Sequence, residues 1–157
     1  MFNHDNAICC YLYVGIFKLP HAPQQLPAYA TAGSAGMDLR AAITEPITLA
    51  PLQRVLVPTG LILHIPEGYE VQLRARSGLA VKHGISLING IGTIDWDYRH
   101  EVKVCLVNLS NEPFTIEPEE RICQMVVAPV VQATVVAVTE TSLCESRAGG
   151  FGSTGRG

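Results

Sequence analysis

The sequence predicts an all-β domain, a jelly-roll-like sandwich or barrel with one short helix. Three observations carry that expectation. Proline and glycine punctuate the chain at close intervals, at Pro46, Pro51, Pro58, Gly60, Pro66, Gly68, Gly84, Pro113, Pro118 and Pro129. The segments between them are short and rich in β-branched residues, which suit a pleated, half-buried surface. No long segment carries the 3.6-residue period of an amphipathic helix, which argues against a parallel α/β sheet. At 157 residues the chain is long enough for one domain with a proper core and too short for two. Residues 1–145 are expected to form that single β domain, with 1–10 frayed in one reading, and 146–157 a flexible glycine-rich arm.

Taken in order, the chain opens on an apolar run, 8–17, that reads as a first strand; 9–12 can also be read as a frayed extension. The run is too short to span a bilayer. Asp5 precedes it, no basic segment leads into it and no small-residue cleavage site follows, so a cytoplasmic protein is expected. Strands are then expected at 47–49, 55–57, 61–65, 70–76, 85–88, 102–109, 114–116, 122–127 and 130–138. The helix is expected at 78–83, capped by Ser77 and ended by Gly84.

Along 70–76 the alternation is strict. Val71, Leu73 and Ala75 face the core, and Glu70, Gln72, Arg74 and Arg76 face out. A solvated face accounts for Glu70 and Gln72. Arg76 differs, because it runs directly into Ser77-Gly78 and a helical turn. Free N–H groups, a hydroxyl and a forked guanidinium at one place suit an anion.

The chemistry-bearing stretch is Asn89 to Val102, NGIGTIDWDYRHEV. Its two carboxylates, Asp95 and Asp97, follow two glycines and interleave with Trp96 and Tyr98. Strand-like sequence on both sides predicts a hairpin. If 94–98 is extended, Asp95 and Asp97 share one face and Ile94, Trp96 and Tyr98 the other. An ordinary solvated hairpin tip fits the same residues.

A formal net charge of −3 gives no electrostatic case for nucleic acid or an anionic membrane. The five cysteines, Cys9, Cys10, Cys105, Cys123 and Cys144, show no C-x-x-C and no His at metal spacing. Buried free thiols in a reducing compartment are expected. The tail from Arg147 to Gly155 is polar and glycine-rich around a single Phe151. That composition suits either a disordered terminus or an arm that stacks a ring on a planar ligand.

Five segments together resemble the trimeric dUTPase family from about Pro20 onward: AGMDLRA at 35–41, RSGLA at 76–80, Asn89 through Glu101, RICQM at 121–125, and the glycine-rich tail. The resemblance implies a β jelly roll assembled as a homotrimer with shared active sites. It implies hydrolysis of dUTP to dUMP and pyrophosphate by water attack at the α-phosphorus, which keeps uracil out of DNA and supplies dUMP for thymidylate synthesis. Asp95 is then the base that orients and activates the water, and Asp97 braces the hairpin. Asn89, with the backbone of Thr93, Ile94 and Asp95, forms a uracil pocket too tight for thymine's methyl. Tyr98 packs under the deoxyribose, and Lys103 adds a contact. Arg76, Ser77, Gly78 and Gln124 hold the α and β phosphates. Asp38 and Arg121 support the site. Phe151 stacks on uracil while Arg147, Gly152 and Ser153 close over the phosphates. Mg²⁺ is implied, held mainly by the triphosphate and its own waters, with Asp38 the carboxylate that could hold a water on the metal.

The chain departs from the family pattern at three points. His100 stands where glycine is usual, which raises the question of a positive φ. Trp96 replaces a small residue. The spacing from Arg147 to Gly149-Gly150-Phe151 is one residue short of the usual. Two alternatives share the fold: a dCTP deaminase, which typically reads Arg-Ser-Ser at 76–78, and a dUTPase-like binding protein without turnover.

Overall fold

The computed structural model describes residues 12–139. Its first half runs β1 (Gly15–Lys18), β2 (Met37–Arg40), β3 (Ile47–Leu49), β4 (Arg54–Pro58), β5 (Leu61–His64) and β6 (Tyr69–Ala75). The helix α1 (Ser77–His83) follows, and then β7 (Ile85–Leu87), β8 (Gly92–Ile94), β9 (Lys103–Asn108), β10 (Phe114–Ile116) and β11 (Arg121–Pro129). Every pairing between these strands is antiparallel. The largest sheet has the order β2-β11-β6-β8, a second runs β4-β9-β7, and β1-β5 and β3-β10 are two-stranded ribbons.

One core ties these sheets together. Leu39, Val71, Leu73, Ile94 and Met125 from the large sheet fall in the same buried cluster as Val57, Ile85, Leu87 and Leu106 from the second. Leu49 and Ile116 join it from the β3-β10 ribbon. Truncating one such leucine to alanine typically costs about 2–5 kcal/mol. The alternation read along β6 holds: Val71 and Leu73 are buried, and Arg74 is exposed on the opposite face. Among the described residues, two buried polar residues need partners and have them. Asn108 donates to Leu49 O at 3.0 Å and Glu112 O at 2.7 Å, and its own oxygen accepts from Ser110 N and Oγ. Thr59 Oγ1 donates to Val102 O at 2.6 Å.

Several local expectations are corrected. Residues 130–138 form no strand despite their valines, since no neighbouring strand pairs with them and propensity alone does not make a sheet. Val131 and Val135 are each 93% exposed. Ser77 does not cap the helix. It is the first helical residue, and Arg76 holds the extended N-cap position with no side-chain cap bond. Gly84 does end the helix, in the left-handed region at φ 67°, and its N–H bonds Ala80 O and Leu79 O. β2 and β8 are short and carry polar residues, so neither leaves a strand signal in the sequence. Among the described residues the first strand begins at Gly15, and residues 8–11 of the apolar run lie outside them. No helix among the described residues is long and apolar enough to cross a membrane. Cys105 and Cys123 are free thiols, half-buried and buried. Cys9, Cys10 and Cys144 lie outside the described residues.

Candidate active site

The stretch from Asn89 to Val102 is not a hairpin. β8 pairs with β6 in the large sheet, whereas β9 pairs with β4 and β7 in the other. The chain therefore crosses between sheets here, and 95–102 is the crossing. The strand stops at Ile94, and Tyr98 N–H donates to Asp95 O at 3.1 Å, closing a turn over 95–98. Asp95, Trp96, Asp97 and Tyr98 therefore do not alternate across an extended strand. Asp95 and Asp97 share a crevice of about 250 Å³ with Tyr69, Trp96, Val130 and Gln132. Among the described residues no ion pair or side-chain hydrogen bond reaches either carboxylate.

β8 is an edge strand, bonded to β6 alone. Alternate backbone N–H and C=O groups along it point away from β6, open to a planar polar edge. Ile94 buries its side chain in the core, so only its backbone is available; Thr93 is exposed, opposite Gln72. Asn89 is exposed in the turn after β7, where Gly90 sits at φ 71° and Ile91 N–H bonds Asn89 O. His100 does not take a positive φ, so the β-carbon causes no backbone strain there. Its ring instead meets Tyr98 edge-on at 5.6 Å. Tyr98 is half-exposed, and its hydroxyl donates to Glu101 O at 3.1 Å. Lys103 opens β9 with its ammonium 3.8 Å from the Glu101 carboxylate.

A second group forms at the other end of β6. Register sets Gln124 of β11 beside Asp38 of β2 on one flank and Arg74 of β6 on the other. Arg76 Nε reaches Asp38 Oδ1 at 3.1 Å, and Arg121 reaches Asp38 Oδ2 at 3.2 Å. Arg76 also donates to Arg121 O at 3.0 Å. One carboxylate thus holds two guanidiniums, leaving other N–H groups of each free to point outward. Ser77 and Gly78 follow at once and are exposed. A crevice of about 250 Å³ opens beside Asp38, Arg74 and Gln124. Beneath lies Cys123, whose thiol is pushed up from 9.0 to about 12, first by burial and then by the Asp38 charge. It stays protonated and is no nucleophile.

The structure thus brings Asp38, Arg76, Arg121 and Gln124 together, with Ser77 and Gly78 adjoining. It gathers Asp95, Asp97 and Tyr98 in a separate turn. The two groups are far apart within the chain. Asp95 follows Ile94, the register partner of Val71, and Arg76 lies five residues further along β6, roughly 17 Å at strand rise. Arg147, Phe151, Gly152 and Ser153 lie outside the described residues. Sequence reading assigned no role to Glu101 or His21, whose 2.8 Å contact spans eighty positions and leaves no local signal. Among the described residues no cluster of three His, Cys, Asp or Glu could hold a metal. The carboxylate nearest the cationic group, Asp38, has both oxygens engaged by arginines. These residues fit a Mg²⁺ that arrives on phosphate and keeps its waters.

The family model described as dUTPase matches residues 22–155. A deoxyuridine 5'-triphosphate nucleotidohydrolase of Brucella melitensis biotype 1 is 59% identical over 145 residues, covering 90% of this chain and 92% of that protein. The dUTPase of Staphylococcus bacteriophage 80alpha, solved with dUPNHPP, superposes with a TM-score of 0.80 at 25% identity, covering 91% of this chain and 98% of the other. A dUTPase from phage phi11 of S. aureus, described as coordinating a structural Mg(II) ion, gives 0.73 at 21% identity, covering 82% and 97%. With the family model matched over residues 22–155 and a relative 59% identical across most of both chains, the chain belongs to the dUTPase family.

Proposed function

We propose that this chain hydrolyses dUTP to dUMP and pyrophosphate in active sites shared between three copies. A water oxygen attacks the α-phosphorus, the bond from that phosphorus to the bridging oxygen breaks, and pyrophosphate leaves. Asp95 takes the water's proton. The edge of β8 from Thr93 to Ile94, with Asn89, offers backbone donors and acceptors to uracil as a pairing partner would. Tyr98 lies under the deoxyribose, where a 2′-hydroxyl would clash, with Lys103 an added contact. Arg76, Ser77, Gly78 and Gln124 hold phosphate oxygens, and Asp38 and Arg121 fix the Arg76 fork. Mg²⁺ bound by the triphosphate would spread its charge, with Asp38 beside its waters. The tail 146–157 serves as an arm: Phe151 stacks on uracil, and Arg147, Gly152 and Ser153 cover the phosphates. The cytoplasm is the compartment proposed for it.

One observation carries the sharing of sites. A base and a phosphate ligand must both lie within hydrogen-bond reach of one phosphoryl group, directly or through a water. Roughly 17 Å of β6 separates them within a chain, which supports the Asp95 turn of one copy serving the Arg76 group of another. The exposed valines of 130–138, two of them 93% exposed, suit burial against a second copy.

Pyrophosphate release from dUTP, UTP, dTTP and dCTP, with and without Mg²⁺, tests the activity. Release from dUTP alone is expected. Ammonia from dCTP would mean a deaminase, and tight dUTP binding without turnover a binding protein. Mixing tests the sharing. Subunits lacking 147–157 and full-length Asp95→Asn subunits should each be nearly inactive, and mixed trimers should recover turnover. Recovery no greater than either parent would rule out sharing through the arm.

A further inference from the structure

We infer that Glu101 is a positioning residue for sugar discrimination, acting as a clamp that fixes the Tyr98 ring. The inference rests on the seat proposed above for the deoxyribose on Tyr98. The Tyr98 hydroxyl donates to the backbone oxygen of Glu101, 3.1 Å away. A carbonyl on a crossing loop is a loose anchor unless its own residue is tethered, and Glu101 is tethered by its carboxylate. Oε1 accepts from Gly60 N–H at 2.8 Å and contacts His21 Nε2 at 2.8 Å. Its side chain is only 16% exposed. The backbone on both sides is held as well: Val102 N–H bonds Leu61 O at 2.8 Å, and Thr59 N–H bonds Val102 O at 3.2 Å.

The surface to which Glu101 is tied is itself closely packed. Gly60 lies at φ 69° with a Cβ position only 2.4 Å from Ala22 Cα, so the turn between β4 and β5 is packed directly on the segment carrying His21. Leu19 N–H bonds Gly60 O at 2.8 Å and closes the same contact. Glu101 thereby transmits the position of a packed turn to an otherwise exposed aromatic ring. Uracil recognition, in contrast, uses the β8 edge, which β6 holds independently of this clamp.

The two selectivities should therefore separate. In Glu101→Ala the ratio of kcat/KM for dUTP over UTP should fall about tenfold, the scale of one lost charge-assisted hydrogen bond, while dUTP over dTTP stays within about twofold. Glu101→Gln, whose amide oxygen can still accept from Gly60, should restore the sugar ratio to within about twofold of the native value. Tyr98→Phe keeps the ring and removes only the bond to Glu101, so it should fall as Glu101→Ala does. It also decides the matter if Glu101→Ala does not fold. A folded Glu101→Ala with an unchanged sugar ratio, an equal fall in both ratios, Glu101→Gln failing as badly as alanine, or an unaffected Tyr98→Phe would each overturn the clamp. Tyr98→Ala separates this from the reading it rests on. If it leaves the sugar ratio untouched, the deoxyribose sits elsewhere and the clamp falls too. If it lowers the ratio while Glu101→Ala does not, the clamp alone is wrong.

Discussion

The two ends of β6 treat charge in opposite ways. At the Arg76 end, one carboxylate is fully engaged by two guanidiniums, and register alone fixes Asp38, Gln124 and Arg74 side by side on three strands. At the Tyr69 end, Asp95 and Asp97 are exposed on a turn, with no ion pair among the described residues. A phosphate seat can be prepaid in this way because its cations need neutralising partners before substrate arrives. A base cannot, since a carboxylate locked to an arginine is a poor proton acceptor. In the proposed assembly, keeping the two apart in one chain and joining them between copies would leave the base free and the phosphate seat held.

The largest expected effect lies at the free end. Asp95→Asn should keep the fold and dUTP binding yet lose turnover by about 10²–10⁴-fold, the usual cost of removing a general base. Asp97→Asn should cost far less. Single-turnover rates and dUTP affinity for both variants check this. Equal losses, or a reversed order, would show that the base is misassigned.

At the rigid end the effect should be smaller and of another kind. Arg76→Lys keeps a positive charge but loses the fork that engages Asp38 and phosphate together. A fall of about 10–100-fold in kcat/KM is expected, carried mainly by KM, as for losing charge-assisted hydrogen bonds. A lysine variant with native kinetics would mean that charge alone matters, and that the Asp38 geometry does not.

The contrast between the ends also explains what could be read from residues alone. β6 was legible because Val71 and Leu73 alternate with charged neighbours on a half-buried strand. The motif around Arg76 reads locally as a place for an anion, but Asp38 and Arg121 join Arg76 across thirty-eight and forty-five positions, which no local pattern shows. The stretch 89–102 looked like a hairpin because it carries glycines between two apolar segments. What decided otherwise was the partner each segment found, β6 for one and β4 and β7 for the other. Residues 130–138 failed for the same reason, a strand pattern with no strand beside it. Ser77 had the chemistry of a cap but entered the helix one position early, leaving Arg76 at the N-cap and its guanidinium on Asp38.

Cys123 links the rigid end to stability. Its folded thiol lies at about 12 against 9.0 when unperturbed. Below pH 9 both states keep the proton and the contribution is whole. Between about 9 and 12 the unfolded chain ionises first, so stability falls by about 1.4 kcal/mol per pH unit from this group. Denaturation midpoints at pH 8 to 11 should therefore fall less steeply in Cys123→Ala than in the native chain. Parallel slopes would mean that the thiol is not so isolated from water.

The smallest effect should come from Ser77, and it separates the fold from the site most cleanly. The hydroxyl makes no cap bond, and Ser77 already occupies a helical position. Alanine is at least as good a helix former there. Ser77→Ala should therefore leave stability within about 0.5 kcal/mol of native, as for other surface substitutions away from special features. A cap would have cost about 1 kcal/mol. If the hydroxyl meets phosphate as proposed, KM for dUTP should nevertheless rise about three- to tenfold, the scale of one lost hydrogen bond. Thermal unfolding and dUTP kinetics on the same preparation compare the two directly. Lower stability with an unchanged KM would assign the hydroxyl to the helix and leave the phosphates to Arg76, Gln124 and the backbone of Gly78.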